Sequence, residues 1–407
     1  MNMIVIKKDG TEQPFNIEKV ITATSKSAER ANHEFEEWEL KVLIDTVMSM
    51  SEEYAKNHNG EIPINKMHVF AETALDKINP DIAKAYREYR NYKVDFCEML
   101  DSVYRKSQSI RYIGDVSNAN TDSSMISTQR SLIYGQLNKN LYQKFFLNKD
   151  ELQAANDGYI YIHDMKDRLD GFNCCLAKID NILKGGFEMG NVWYNEPKTL
   201  EVGFDVISDV VISAASQQYG GFTIPQVDFI LEPYAEKSYN KFYNEYVTNA
   251  LDVNPNIDEE TLHAKADAYA EARVYRDFEQ GFQSWEYRFN TVGSSRGDYP
   301  FIATSFGLNQ SRFGRMATEV ILRVRKNGQG KKGKKKIVLF PKLTFLYDEN
   351  LHGAGAPMED LFNEAIECSK KSMYPDFLSL TGEGYIPSIY KKYGKVISLM
   401  GKRILPM

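Results

Sequence analysis

Hydrophobic spacing divides the chain into two stretches of different character. Residues 3–7 (Met-Ile-Val-Ile-Lys) form a short β-prone run, and Lys8-Asp9-Gly10 supplies turn residues for a hairpin. Phe15 then precedes Asn16, an N-capping residue, and Val20 stands where the partner of a hydrophobic staple sits. Ile17, Val20, Ile21 and Thr24 continue at helical spacing. The same pattern predicts helices at about 35–56, 64–78 and 80–95, the last opened by Asn79-Pro80-Asp81. Residues 1–95 are therefore expected to form a small β-sheet capped by a helical bundle.

From residue 96 to 407 the segments lengthen and Gly, Asn and Asp are interspersed. Asn118 to Asp122 is a loop signal. Gly158 to Asp164 reads as a buried strand ending on polar residues. Val206, Ile207, Val210, Val211 and Ala214 share a helical face over 204–219, which Gly220-Gly221 ends. A long helix is expected at about 257–290, opened by Asn256 with Glu259 in capping-box spacing. Tyr299 to Thr304, Thr318 to Arg325 and Ile337 to Phe345 are β-prone. The lysine-rich run Lys326 to Lys336 reads as a solvated hairpin loop joining two of these runs rather than a phosphate contact. Alternating strands and helices indicate an α/β fold.

Composition narrows the class. The chain has 407 residues, 43% of them apolar, enough for a sizeable core and more than one domain. A net charge of −6 argues against a dedicated nucleic-acid binder. No apolar run reaches the roughly 18 residues that span a bilayer, and Lys7-Lys8-Asp9 interrupts any signal peptide, so a cytoplasmic setting is expected. Four cysteines in a chain of this length do not make a disulfide framework.

Candidate chemistry is sparse. Lys7 and Lys8 end the first strand and Lys19 lies near the start of the first helix, an arrangement that suits a polyphosphate at a helix N-terminus. From spacing alone, ordinary solvated lysines are the simpler account, and a lone His68 on a helix is more often structural. The adjacent Cys174-Cys175 pair is unsuited to an internal disulfide, and by burial tendency alone it is packing.

Motif order changes those readings. Val5 to Gly10, Pro14-Phe15, Ile17-Glu18-Lys19, Ile62-Pro63-Ile64 before His68, and Ala83 to Arg90 together resemble the ATP-cone, a regulatory nucleotide-binding module. That resemblance implies that Lys7, Lys8 and Lys19 meet nucleotide phosphates, that Asp9 and Gly10 belong to the same nucleotide-binding set, and that His68 lies near the base or ribose. ATP is sensed against dATP. Tyr161 to Asp164, Gly171 to Leu176, Ala215 to Gly221, Leu231 to Tyr234, Glu286-Tyr287 with Asn290-Thr291, Phe340 to Leu343 and Met373 to Asp376 resemble the class III (anaerobic) ribonucleotide reductases. The implied fold is an ATP-cone followed by part of a ten-stranded α/β barrel of the glycyl-radical type. Cys174 stands in the place of the second active-site cysteine, with His163 and Asn173 as further catalytic candidates. Lys241 falls where the family has its dNTP specificity site on dimer-forming helices.

The implied activity is reduction of ribonucleoside triphosphates to deoxyribonucleoside triphosphates for DNA synthesis by a glycyl/thiyl radical mechanism. The family works as a homodimer with a radical-SAM activating protein, and with formate or a dithiol as reductant. Met400-Gly401-Lys402-Arg403 resembles the radical loop, where the family pattern is Met-Gly-Cys-Arg. Lys402 occupies the thiyl position, and the family's four-cysteine zinc site and glycyl-radical motif do not occur in this sequence. The expectation is an N-terminal part, from an interrupted or decayed gene, that is inactive alone, exposes a sheet edge and depends on a C-terminal fragment. The alternative is a non-catalytic nucleotide sensor with a vestigial barrel. A pyruvate formate-lyase-like acyltransferase is disfavoured, because that group lacks the cone and carries its adjacent cysteines on the loop tip.

Overall fold

A computed structural model describes residues 3–112, 122–169, 171–291 and 297–397. Two compact units divide the chain, Met1–Arg105 and Lys106–Met407.

The first unit contains β1 (Ile4–Ile6), β2 (Glu12–Pro14), α1 (Ile17–Arg30), α2 (Glu37–Lys56), β3 (Glu61–Pro63), α3 (Ile64–Ile78) and most of α4 (Pro80–Tyr112). The hairpin forms as expected: β1 pairs antiparallel with β2, Val5 opposite Gln13, and parallel with β3, Val5 opposite Ile62. Asn16 caps α1 by accepting from the Glu18 N–H at 2.8 Å. Leu43, Val47, Ile62, Leu75 and Ile82 are fully buried between sheet and helices. The final helix runs past 95 to Tyr112, and residues 96–112 contain neither Gly nor Pro to stop it.

The second unit contains α5 (Ile126–Phe145), α6 (Lys149–Asn156), β4 (Cys175–Leu176), α7 (Ile179–Leu183), β5 (Phe187–Met189), β6 (Val192–Tyr194), α8 (Leu200–Ala215), β7 (Phe222–Ile224), α9 (Val227–Val253), α10 (Glu259–Arg288), β8 (Ile302–Phe306), α11 (Arg312–Asn327), β9 (Lys342–Tyr347), α12 (Glu349–His352), α13 (Glu359–Ser372), β10 (Asp376–Ser379) and α14 (Tyr385–Tyr393). The fold is mixed α/β. Five parallel strands form one sheet in the order β10-β9-β8-β7-β4. Every residue of β7 and β8 is buried, as strands covered on both faces must be. Phe204, Phe278, Phe282 and Trp285 pack edge to face beside the sheet, and the Trp285 indole donates to the Phe204 carbonyl at 3.1 Å.

Several local expectations are corrected. Gly158 to Asp164 is not a strand. It is an irregular segment in which Tyr159 and Tyr161 are 84% and 85% exposed, and alternating Tyr and Ile alone cannot distinguish the two. Thr318 to Arg325 belongs to α11, whose buried Phe313, Met316, Ala317, Val320, Ile321 and Val324 keep helical spacing. A window opening at Thr318 misses the first turns of that pattern. The lysine-rich run consequently leaves a helix rather than a strand, though an antiparallel bridge between Gln329 and Lys336 does close it. Only the end of the Ile337 to Phe345 run is strand. Asp258, not Asn256, caps α10, accepting from the Thr261 N–H at 2.9 Å. The helix expected at 204–219 starts at Leu200 and ends at Ala215. Of the loop expected at Asn118 to Asp122, all but Asp122 lies outside the described residues.

Two buried polar groups tie the second unit together. Arg325, fully buried, donates to Glu286 at 2.6 Å and to the Pro341 carbonyl at 2.7 Å, while Gln329 meets the other Glu286 oxygen at 2.5 Å. Asp228, also fully buried, accepts from the backbone N–H groups of Gly307, Leu308 and Asn309 at 3.0, 3.1 and 3.0 Å. Those bonds fix the loop after β8. Burial nonetheless pushes the Asp228 carboxyl up to about 6, against the pull of its three donors.

Glu286→Gln leaves the Arg325 charge without its counter-ion, so unfolding of this unit in denaturant is expected to lose about 3–5 kcal/mol. Replacing both partners by apolar residues is expected to recover most of it. A loss below about 1 kcal/mol for the single variant would refute the energetic role of the pair. For Asp228, the folded state holds its proton more tightly than the unfolded chain, so its contribution is greatest below the ordinary carboxylate value. It falls as pH rises to about 6. The full difference is on the order of 3 kcal/mol, of which about 1 kcal/mol falls between pH 5 and pH 7. Melting of Asp228→Asn at pH 5 and pH 7 should lack this component, and an unchanged difference from the native chain refutes it.

Candidate functional site

In the first unit, the turn after β1 is held by local bonds. The Gly10 N–H donates to the Lys7 carbonyl at 3.0 Å, and the Asp9 carboxylate accepts from the Thr11 N–H and hydroxyl at 3.0 and 2.6 Å. Those bonds, with Lys7 nearby, hold the Asp9 carboxyl below the usual carboxylate range. Asp9 and Gly10 thus build the turn that carries the exposed Lys7 and Lys8. Lys19, in the first turn of α1, donates to the Gln13 side chain at 3.0 Å.

His68 lies half-buried on α3, just beyond the end of β3. Its pKa is lowered, first by burial and then by Arg90, Lys8 and Lys93, with Glu72 opposing. The structure therefore brings Lys8 and His68 into one electrostatic neighbourhood. Two cations of α4 that sequence reasoning did not single out, Arg90 and Lys93, join them. The signal was available, because Tyr86, Arg90 and Lys93 share one face of that helix at spacings of four and seven. Glu72 anchors the group by accepting from Arg90 at 2.8 Å and from Arg87.

In the second unit, Asn173 and Cys174 lead into β4. They lie against Gly220 and Gly221, which lead into the adjacent β7. The Gly221 N–H donates to the Cys174 Sγ at 3.2 Å, and the Cys174 thiol reaches the Asn173 Oδ1 at 3.4 Å. A Cβ on residue 220 would fall 2.5 Å from the Cys174 sulfur and 2.6 Å from the Asn173 Oδ1, so only glycine fits beside this thiol. Gly220, Gln218, Tyr219, Ser216, Tyr299 and Phe301 line a cleft alongside. Cys175 faces the other way, its thiol 3.4 Å from the Gln218 side-chain oxygen and pushed up by burial and by Cys174. Cys368 is buried on α13, and its thiol is also raised by burial.

His163 lies in the segment after α6, paired with Asp164 at 2.9 Å, where Asp164 adopts a left-handed backbone with φ of 51°. Lys241, on α9, stands 5.9 Å from the Phe242 ring. With Arg273 and Arg276 it partly offsets the burial and the Glu201 charge that raise the Asp277 carboxyl. Lys402 lies outside the described residues. Among the described residues no group of three His, Cys, Asp or Glu side chains could hold a metal ion, and none of the helices is long and apolar enough to cross a membrane.

A cluster of cations around a half-buried histidine in one unit and a cysteine at the head of a parallel sheet in the other define a class: a thiol-bearing α/β protein of two units. Residues 117–406 match the family model described as anaerobic ribonucleoside-triphosphate reductase, and residues 3–94 match the ATP cone domain. The chain belongs to the anaerobic ribonucleoside-triphosphate reductase family. It is 31% identical to the anaerobic ribonucleoside-triphosphate reductase of Haemophilus influenzae over 415 residues, covering 100% of this chain and 54% of that protein. The Escherichia coli protein of the same name is 31% identical over 99% of this chain and 53% of its own length, and that of enterobacteria phage T4 is 34% identical over 64% and 41%. Among solved structures, the anaerobic ribonucleotide reductase of Thermotoga maritima in complex with dATP and CTP matches with a TM-score of 0.43 at 14% identity, covering 72% of this chain and 50% of that one. The chain spans about half the length of the two bacterial relatives.

Gly220→Ala is expected to force Cys174 away from the Gly221 N–H and to cost about 1–3 kcal/mol in stability. Alkylation of Cys174 by iodoacetamide should then quicken relative to the exposed Cys97, read by peptide mapping. A native ratio and native stability would show that the close approach is not required.

Proposed function

We propose that this chain acts in anaerobic reduction of ribonucleoside triphosphates to deoxyribonucleoside triphosphates, under allosteric control by ATP and dATP. The observation that carries this reading is the succession, in one chain, of an ATP-cone match over residues 3–94 and a reductase match over residues 117–406. Residues 1–95 serve as the regulatory domain and residues 96–407 as the reductase portion. In the regulatory domain Lys7, Lys8 and Lys19 meet the polyphosphate as charge-assisted donors on the frame set by Asp9 and Gly10, and His68 lies near the base or ribose. The cluster of cations around His68 suits that chemistry, since an anion there replaces like-charge repulsion with attraction.

In the reductase portion Cys174 supplies the reducing thiol, with Asn173 and His163 orienting polar groups of the substrate, and Lys241 belongs to the specificity-effector site. The family's glycyl radical supplies hydrogen abstraction from the ribose by way of a loop cysteine. Position 402 carries lysine, whose ammonium has no weak S–H bond, so this polypeptide does not complete that step alone. The donor set fits no zinc ion among the described residues, and none is given a role. A radical-SAM activating protein, a second copy of the chain and a cytoplasmic setting complete the proposal. Lys402 also favours a second reading, a nucleotide sensor without turnover.

Calorimetry on the 407-residue chain should detect ATP and dATP, and Lys7→Ala with Lys8→Ala should weaken binding at least about tenfold. No binding by the unsubstituted chain would sink the cone assignment, and undiminished binding by the variant would sink the lysine roles. Under strict anoxia with activating protein, S-adenosylmethionine and formate, the chain alone should form no dNTP. Turnover would refute the consequence drawn from Lys402.

A further inference from the structure

His68 presents its Nδ1 to the hydroxyl of Tyr86 on α4 at 2.8 Å, with the two rings 6.0 Å apart and tilted by 51°. Tyr86 is only 7% exposed, so its hydroxyl proton needs an acceptor inside the protein. Two proton arrangements fit the distance. If Nδ1 carried the ring proton and donated to the phenol oxygen, the phenol's own proton would be buried without a partner. If the phenol donates to an unprotonated Nδ1, both groups are satisfied and the ring proton resides on Nε2. The second arrangement leaves no buried donor unpaired and is therefore favoured.

The electrostatic surroundings agree. Burial pushes Tyr86 up to about 12, so it keeps its proton. Burial and the cations Arg90, Lys8 and Lys93 lower His68, with Glu72 alone opposing, so the ring is kept neutral. A neutral imidazole is the one state whose chemistry depends on which nitrogen bears the proton. In a pocket of cations, an Nε2 lone pair would offer an acceptor to a ligand rich in acceptors. An Nε2–H offers it a donor.

We propose that Tyr86 is a positioning residue that locks His68 in its Nε2–H tautomer, so that the site presents a neutral N–H donor, beside Lys8, Arg90 and Lys93, to a phosphate oxygen of its nucleotide rather than to the base or ribose that the family resemblance implies. The inference rests on reading the first unit as a nucleotide site, and it adds to that reading the residue that sets the hydrogen-bond polarity of His68.

The tautomer can be read without any ligand. In the 407-residue chain labelled with 15N-histidine, long-range 1H–15N spectra distinguish protonated from unprotonated ring nitrogens, and loss of one signal set of six in His68→Gln assigns His68. The expected result is an unprotonated Nδ1 and a protonated Nε2, with Tyr86→Phe shifting the ring toward the other tautomer while the remaining histidine signals stay in place. A protonated Nδ1 in the native chain, or an unchanged tautomer in Tyr86→Phe, overturns the proposal.

Binding of inorganic tripolyphosphate tests the second half. His68→Gln puts an amide nitrogen where Nε2 was and should retain affinity. His68→Asn puts it where Nδ1 was and should lose about tenfold, the loss of one hydrogen bond to a charged group. Equal losses in both overturn the donor role. Failure of the native chain to bind ATP or tripolyphosphate overturns the nucleotide reading instead, and the ligand-free spectra separate that failure from an error about Tyr86.

Discussion

The second unit depends on one buried ion pair. A parallel sheet cannot be closed by tight hairpins, so each strand must be delivered to its neighbour by a connection that returns across the sheet. The delivery of β9 is controlled by the end of α10. Glu286 holds Arg325 of α11, Arg325 holds the carbonyl of Pro341, and Asn290 accepts from the N–H groups of Leu339 and Phe340 at 3.2 and 3.1 Å while donating to the Phe340 carbonyl at 2.6 Å. Apolar burial would tolerate a slide of this segment by a residue, whereas a charge pair and an amide that satisfies three backbone groups would not. The Glu286-Tyr287, Asn290-Thr291 and Phe340-Pro341 motifs, far apart in sequence, are thus parts of a single clamp.

The sheet so fixed determines where the Cys174 thiol sits. Asn173-Cys174, Gly220-Gly221 and Pro300-Phe301 lie side by side at the N-terminal ends of β4, β7 and β8, where the ladder has only begun. Gly221 shows the consequence. Its carbonyl accepts from the Cys175 N–H at 3.0 Å within the strand pairing, while its own N–H is left to the Cys174 sulfur. One residue later the backbone groups are spent on the ladder. The two adjacent cysteines therefore differ in kind: Cys174 meets a backbone donor at the sheet's edge of pairing, and Cys175 is turned into the packing.

Much of this was legible in the chain. The Lys8-Asp9-Gly10 turn, the Asn16 cap and the helices of the first unit follow from local rules, because each is decided within a few residues. The failures came where local composition and long-range pairing disagree. Val and Ile in Thr318 to Arg325 favour a strand until Phe313 and Met316 are included, and Tyr-Ile alternation in Gly158 to Asp164 looks like a strand that no neighbour completes among the described residues. The Cys174 neighbourhood was found by motif, yet the need for glycine at 220 could not be, since it arises from a contact 46 positions away. Arg90 and Lys93 do not stand out in the sequence because a cation on an amphipathic helix is usually solvated, and the side-chain bonds from Tyr86 to His68 and from Arg90 to Glu72 are long-range.

The two units differ in what their chemistry requires of the rest of a protein. The cluster around His68 draws on the β1 turn, α3 and α4, all contributed by the first unit, and the binding proposed for it needs only charge and hydrogen bonding. The role proposed for Cys174 needs a second sulfur to share the redox chemistry. Under the proposed reading, effector binding and turnover draw on different groups of the chain: a cation cluster attracts a polyphosphate by charge, while radical reduction needs a pair of thiols.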